Sequence, residues 1–329
     1  MDNINNINKP IGGFFEIELC SVGNFPHSQA IAFQSGRAAF YALINSVRPS
    51  RIWLPKYICN SMLAPILASD IAYSWYDLTD DLNIDRRIRL APGDVILYVD
   101  YYGICNRHIR GIIDDFGKEN VILDFSQSFF AKSEDCLGSL FSARKFVGVP
   151  DGAFLYTKAL IETPTQSLAL DSESISHLMG RLIDGPERHY NSFNRHESQF
   201  DDLEARAPSQ LTYRILRSIN WEYVESCRME NFTALHQELG STNKFPIEDI
   251  PVTAPLCYPY IGVNDDLRLV LQRERIYVPT YWKEVLTRTS LNSIEFKLST
   301  SLMALPCDQR YLVEDMKYLA ARILKDNNV

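Results

Sequence analysis

The sequence predicts an α/β protein: a mostly parallel sheet with helices on both faces, followed by a smaller α/β unit. Three observations carry that prediction. Short runs rich in β-branched and aromatic residues alternate with segments of helical spacing through the first two-thirds of the chain. Strands that alternate with helices are joined by crossovers, which make neighbouring strands parallel. The chain has 329 residues, 46% of them hydrophobic, enough for one large core and a second, smaller one.

Taken in order, "GRAAFYALINSV" (36–47) and "CNSMLAPILAS" (59–69) have helical spacing. The runs "RIWLP" (51–55), "IAYSWYD" (71–77), "DVILYVDYYG" (94–103), "NVILDFS" (120–126) and "GAFLYT" (152–157) read as strands bounded by turn residues. From about 170 to 240 the composition turns polar and helix-favouring. There "PSQLTYRILRSINWEYVESCRMENFTALHQELG" reads as one or two amphipathic helices. A second alternation follows, with "ERIYVPTYW" (274–282) and a closing helix at "YLVEDMKYLAARIL" (311–324). The expected division is a large domain over residues 1–224 and a small one over 225–329.

Charge and cysteine usage narrow the class. Net charge is −8 with no basic run, which argues against nucleic acid and anionic membrane as partners. No run of apolar residues is long enough to span a membrane, and the first residues lack the pattern of a secretion signal. The seven cysteines are scattered and form no C-x-x-C pair, so free thiols in a reducing cytoplasm are expected. The histidines are dispersed too, and no metal centre is expected.

Three features fall where ligands bind in such sheets, beyond the carboxyl ends of the strands. In "QSGRAAF" (34–40), Ser35 and Gly36 open a helix, so their N–H groups form an anion site to which Arg37 adds a charge. The plain alternative is an N-cap followed by a solvated arginine. In "VILDFSQSFF" (121–130), Asp124 follows three aliphatic residues. A carboxylate there either caps a helix or meets a cation such as a protonated pyridine nitrogen, with Gln127 beside a ring substituent. In "LFSARKFVGVPDGAFLYT" (140–157), Lys145 stands between a strand end and a rigid turn, where partial burial is expected. Ser142 precedes it by three residues and can donate to a phosphate, while the lysine can form an imine. Anion site, strand-end carboxylate and Ser-x-x-Lys come in the order that pyridoxal phosphate requires of a βαβ sheet.

With these residues in view, the chain resembles the fold type I pyridoxal-phosphate enzymes, specifically the DegT–DnrJ–StrS group of sugar aminotransferases. The resemblance rests on "SGRAAFYALI", "RIWLPKYICNSMLAPI", "YDLTDDLNID", "VDYYG", "VILDFSQS", "FSARKFVGVPDGAFLYT", "CRMENFTAL", "RERIYVPTYW" and "LPCDQRYLVEDM", from about residue 11 to 324. It implies a seven-stranded-type sheet and pyridoxal 5'-phosphate as cofactor. Lys145 resembles the Schiff-base lysine, Asp124 the partner of the ring nitrogen and Gln127 the residue facing the ring hydroxyl. Ser35, Gly36, Arg37 and Ser142 resemble the phosphate cup.

The resemblance also implies a homodimer with the site at the subunit interface, moving an amino group from a donor such as glutamate to a keto sugar, by default nucleotide-linked. The sequence departs from the family in four places. Gly36-Arg37 stands where many members have Gly-Thr, and Cys59 falls on the ring-stacking aromatic, leaving Tyr57 or Tyr101 to cover the ring. No counterpart of the partner-reaching segment occurs near "RHYNSFNRHESQF", and the chain is shorter than most members. Related dehydratases replace the lysine with histidine, so the lysine favours transamination over elimination. A cofactor-free regulatory protein on the same scaffold is the third reading. Arg228 and Asn231 are expected at the surface or in dimer contacts. Arg310 is expected at a helix start, with an acidic substrate group as its alternative partner, and "IYVPTYW" in the core.

Overall fold

The computed structural model describes residues 13–263 and 266–327. Strand β1 (Ile31–Phe33) leads into helix α1 (Gly36–Val47), whose N-cap Ser35 accepts the Ala38 N–H at 3.1 Å. Helix α1 turns Ala38, Phe40, Leu43 and Ile44 inward. Then follow β2 (Arg51–Pro55), α2 (Leu63–Ala68), β3 (Ala72–Tyr76), β4 (Asp94–Val99), α3 (Ile109–Phe116), β5 (Val121–Phe125), β6 (Gly138–Ser142) and β7 (Ala153–Tyr156).

The seven strands form one sheet in the order β1-β7-β6-β5-β4-β2-β3. Strand β7 runs antiparallel to both its neighbours, and all other pairings are parallel. Every residue of "DVILYV" in β4 and of "VILDF" in β5 is buried. Such continuous apolar runs suit central strands covered on both faces, whereas β3 at the edge exposes Tyr73.

A helical stretch comes next: α4 (Ser172–Asp184), α5 (Tyr190–Ser198), α6 (Gln210–Ser218) and the long α7 (Trp221–Leu239). The remainder holds β8 (Tyr258–Tyr260), α8 (Leu267–Arg273), α9 (Ile294–Ser301), β9 (Met303–Leu305) and α10 (Val313–Asn327), with β8 and β9 paired antiparallel. Two apolar cores result. The larger surrounds the seven-stranded sheet, and the smaller joins α7, α8, α10 and the β8–β9 pair. Helix α7 carries the chain from one to the other, since Trp221 belongs to the first core and Phe232, Leu235 and Leu239 to the second.

Two expectations are corrected. The stretch "ERIYVPTYW" forms no strand: residues 276–282 have no regular structure, Pro279 offers no N–H, and Trp282 sits at φ 55°. Its core position does hold for Trp282, which packs against Tyr57 at 4.7 Å between ring centroids. Nor do Arg228 and Asn231 lie at the surface; they are 2% and 1% exposed. Asn231 donates from Nδ2 to the Asp308 and Tyr311 carbonyls at 3.2 and 2.9 Å, tying α7 to the segment before α10. Asn231→Ala leaves those carbonyls short of a donor, and urea unfolding should show a loss of about 1–3 kcal/mol.

Candidate active site

Because β4, β5 and β6 are parallel, their carboxyl ends meet at one edge of the sheet. Asp100 follows β4, Asp124 lies near the end of β5, and Ser142 ends β6. Strand β1 runs in the same sense, its direction reversed twice through β7, so α1 also opens on this edge. The Gln34 carbonyl accepts the Gly152 N–H at 2.9 Å, and the Gly152 carbonyl accepts the Ala143 N–H at 3.3 Å. Gly152 thus bridges the start of α1 to the turn after β6. Its φ of +112° is open only to glycine at low cost.

Residues 143–145 form a single turn of 3₁₀ helix after β6. Lys145 leaves this turn exposed, which corrects the expected partial burial, and its Nζ donates to Ser126 Oγ at 2.9 Å. The turn directs the side chain over the end of β5, not into the core. Asp124 is 7% exposed, and its Oδ1 accepts the Ser126 N–H at 2.8 Å. Ser126 therefore joins the amine to the carboxylate, its hydroxyl on one and its N–H on the other. Its place in "DFSQS", between Asp124 and Gln127, was the only sequence signal for it.

Gln127 is 1% exposed and accepts the Tyr102 N–H on Oε1 at 2.6 Å. Tyr102 takes φ 57°, a costly conformation for a bulky residue, and is followed by Gly103 at φ 78°. Neither tyrosine proposed to cover a ring presents a free face. Tyr57 and Tyr101 are fully buried, with centroids 5.6 Å apart, and the Tyr57 hydroxyl meets that of Tyr102 at 2.7 Å. They form the floor beneath the edge. Cys59 is half-buried at a turn that the Arg288 guanidinium braces from the Lys56 carbonyl and Asn60 Oδ1, each at 2.8 Å.

At the start of α1 the N–H groups of Gly36 and Arg37 bond to no partner among the described residues, and a Cβ on Gly36 would meet nothing within 4 Å. The cap role of Ser35 leaves its hydroxyl proton free to donate. Ser142 is half-buried, and its hydroxyl makes no bond among the described residues. The Arg37 guanidinium is turned toward Asp201, at 2.7 Å, a pair whose carboxylate side is 78% exposed. An ion pair that open is worth little and breaks readily. Beside Lys145, Arg144 pairs with Glu197 and lies 4.1 Å over the Phe200 ring, fastening the turn to the α5 region.

Clefts elsewhere do not touch these groups. One of about 720 Å³, lined by Arg86, Arg89 and Asp115 among others, lies at the amino ends of β4 and β5, the wrong edge for a ligand in such a sheet. No group of three or more potential metal ligands occurs among the described residues.

Asp100, missed by the sequence reading, is 1% exposed. Burial pushes its carboxyl up to about 6, against the opposing pull of Ser128, of the Cys105 N–H at 2.8 Å and of Asn106. Its Oδ2 and the buried Ser128 hydroxyl lie close together, yet neither completes a hydrogen bond of good geometry among the described residues. A carboxyl raised in the folded state stabilises the fold below its unfolded range near 4, and that contribution is lost as pH rises toward 6. Asp100→Asn keeps the acceptor for Cys105 and offers Ser128 a donor. Urea unfolding should show the variant more stable at pH 8 by about 1–3 kcal/mol, with the fall between pH 4 and 6 reduced. An unchanged pH dependence would mean that water solvates the carboxyl.

No family model matches the chain, and no curated protein matches it in sequence. Solved structures do match in fold. A DegT DnrJ EryC1 StrS aminotransferase from Brucella abortus is 17% identical, with 93% of this chain and 87% of that one covered at a TM-score of 0.63. The Helicobacter pylori aminotransferase PseC, of pseudoaminic acid biosynthesis, is 14% identical over 91% of this chain and 86% of its own, at 0.60. The E. coli GDP-4-keto-6-deoxy-D-mannose-3-dehydratase, solved with hydrated pyridoxal phosphate, is 15% identical over 91% and 88%, at 0.61. The chain thus has the fold of the fold type I pyridoxal-phosphate transferases and resembles the sugar aminotransferases among them along nearly all of its length.

Proposed function

We propose that the protein is a pyridoxal-phosphate aminotransferase that moves an amino group from an amino acid such as glutamate to a keto sugar, with a nucleotide-linked sugar as the substrate class. One observation carries this reading: an exposed lysine amine and a buried carboxylate, both held by Ser126, share one edge of the sheet with the unspent N–H groups of α1. The donor set fits the cofactor. The α1 start, Ser35 and Ser142 offer donors to a phosphate, and the open space at Gly36 admits it. Asp124 keeps Oδ2 free of hydrogen bonds from the described residues, and Gln127 keeps Nε2 free likewise.

When bound, pyridoxal 5'-phosphate supplies an aldehyde that captures amines and a ring that withdraws electrons from the substrate carbon. Asp124, almost sealed from water, would face the ring nitrogen and favour its proton. Gln127, fixed through Oε1 by Tyr102, would offer its amide to the ring hydroxyl. Lys145 would hold the cofactor through its amine and, with that amine free, could carry a proton to and from a bound substrate. Ser126 gives the free amine a resting place and keeps it oriented. We place the protein in the cytoplasm as a homodimer with the site at the interface. Support for a dimer comes from exposed apolar side chains on α4, where Leu182 and Ile183 are 80% and 74% accessible.

A dehydratase among the similar structures keeps elimination as a second reading. Purified protein supplied with pyridoxal 5'-phosphate should turn yellow, and borohydride should fix the cofactor on Lys145, with neither effect in Lys145→Ala. A wild type that takes up no cofactor would leave only the scaffold. Glutamate should bleach the bound cofactor to its aminated form; an unaltered spectrum would remove transamination in favour of elimination. Asp124→Ala strips a buried charge of its partner, and turnover should fall on the order of 100-fold or more.

A further inference from the structure

The carbonyl of Phe146, the residue directly after Lys145, accepts two side-chain hydrogen bonds. Arg228 Nη2 reaches it at 3.1 Å and Gln309 Nε2 at 2.9 Å. Together they occupy both lone pairs of that oxygen. The Phe146 N–H is spent on Ala143 at 2.9 Å, so the peptide units flanking this residue are held on both sides. Neither donor comes from the seven-stranded sheet: Arg228 lies on α7 and Gln309 just before α10.

Arg228 also reaches in the other direction. Its Nη1 donates to the Pro255 and Leu256 carbonyls at 3.1 and 3.2 Å. The Leu256 N–H donates to the Tyr102 carbonyl at 2.8 Å, and the Tyr102 N–H to Gln127 Oε1 at 2.6 Å. One guanidinium thus ties the turn that carries Lys145 to the segment that orients Gln127. The next residue, Gly103, lies so close that a Cβ there would come 2.9 Å from Pro255 Cα, which shows how tightly the two segments are packed.

We propose that Arg228 and Gln309 are positioning residues: they clamp the peptide after Lys145 and fix its amine relative to Gln127. This rests on the cofactor reading above. Stability alone does not account for either group. Arg228 is buried, its hydrogen bonds go to carbonyls and none to a carboxylate, and its Nε has no partner. Asp308, the carboxylate whose charge acts on Arg228, is already engaged by Arg310 at 2.6 and 2.8 Å. The Arg228 guanidinium also lies 4.5 Å over the Phe146 ring, a contact that holds the same residue. A desolvated cation with no carboxylate on it is otherwise a poor source of stability, and an apolar side chain of equal volume would fill the space as well. Gln309 likewise buries Oε1 without a partner while keeping Nε2 on Phe146. What an apolar residue does not replace is the planar fork, whose two nitrogens address two chain segments at once.

The test uses the full chain, wild type, Gln309→Leu and Arg228→Lys, with pyridoxal 5'-phosphate as probe. Hydrogen exchange without cofactor reads the clamp directly: the amides of 143–147 should exchange about 10-fold faster in both variants. In Arg228→Lys alone the change should extend to the amides of Leu256 and Cys257. With cofactor, the pH at which its absorption band changes should move by about half a unit or more, and borohydride fixation on Lys145 should slow. The Gln309→Leu melting temperature should stay within about 4 °C of wild type, which separates positioning from loss of fold. Unchanged exchange and an unchanged pH midpoint in Gln309→Leu overturn the proposal. A wild type that binds no cofactor, with exchange still faster in the variants, overturns the functional reading and leaves a clamp without that role.

Discussion

A carboxylate almost sealed at the end of a buried strand has to be met by positive charge, and that requirement organises the carboxyl edge of this sheet. Asp124 sits on β5, a strand whose every residue is buried, and one of its oxygens accepts the Ser126 N–H. Water reaches so little of it that whatever comes to the other oxygen matters electrostatically. The Lys145 amine is near but parked on the Ser126 hydroxyl. The arrangement keeps acid and amine associated without letting them neutralise each other, which suits a site whose natural guest carries a cationic ring nitrogen at one end and an aldehyde at the other.

The second core reaches back into this edge. The Arg228 and Gln309 side chains close on Phe146, and the 255–256 segment braces Tyr102. Tyr102 itself holds a backbone conformation that costs on the order of 1–3 kcal/mol, which such bracing offsets. Strain of this kind persists only where the surroundings overdetermine it. Here it sets the N–H that orients Gln127.

Much of this was legible in the sequence, for identifiable reasons. β2, β3, β4, β5 and β7 announced themselves as apolar runs between turn residues, and α1 by its spacing and its Ser35 cap. Strands of three residues, as in β8 and β9, leave too short a pattern to read. "IYVPTYW" looked like a strand because its residues favour one, yet Pro279 and the backbone of Trp282 break the ladder. Candidate site residues stood out where a chemical group stood at a strand end. Arg228 and Gln309 did not, since their partners are distant in the chain. Ser126 and Asp100 have near partners, but an unremarkable serine and a strand-end aspartate show no role until their burial and contacts are visible. An arginine on a helix looks solvated until the carbonyls around it are visible. The exposure of Lys145 was misjudged for a similar reason: the direction of a one-turn helix is not written in its residues.

The bridge through Gly152 carries a consequence for biosynthesis. The Gln34 carbonyl, beside the start of α1, is held by an N–H that lies far downstream in the chain. Among the described residues β1 pairs only with β7, so the first strand of this sheet in chain order waits, unpartnered, for the last. A nascent chain interrupted before Tyr156 would hold most of the parallel layer with the start of α1 still untied.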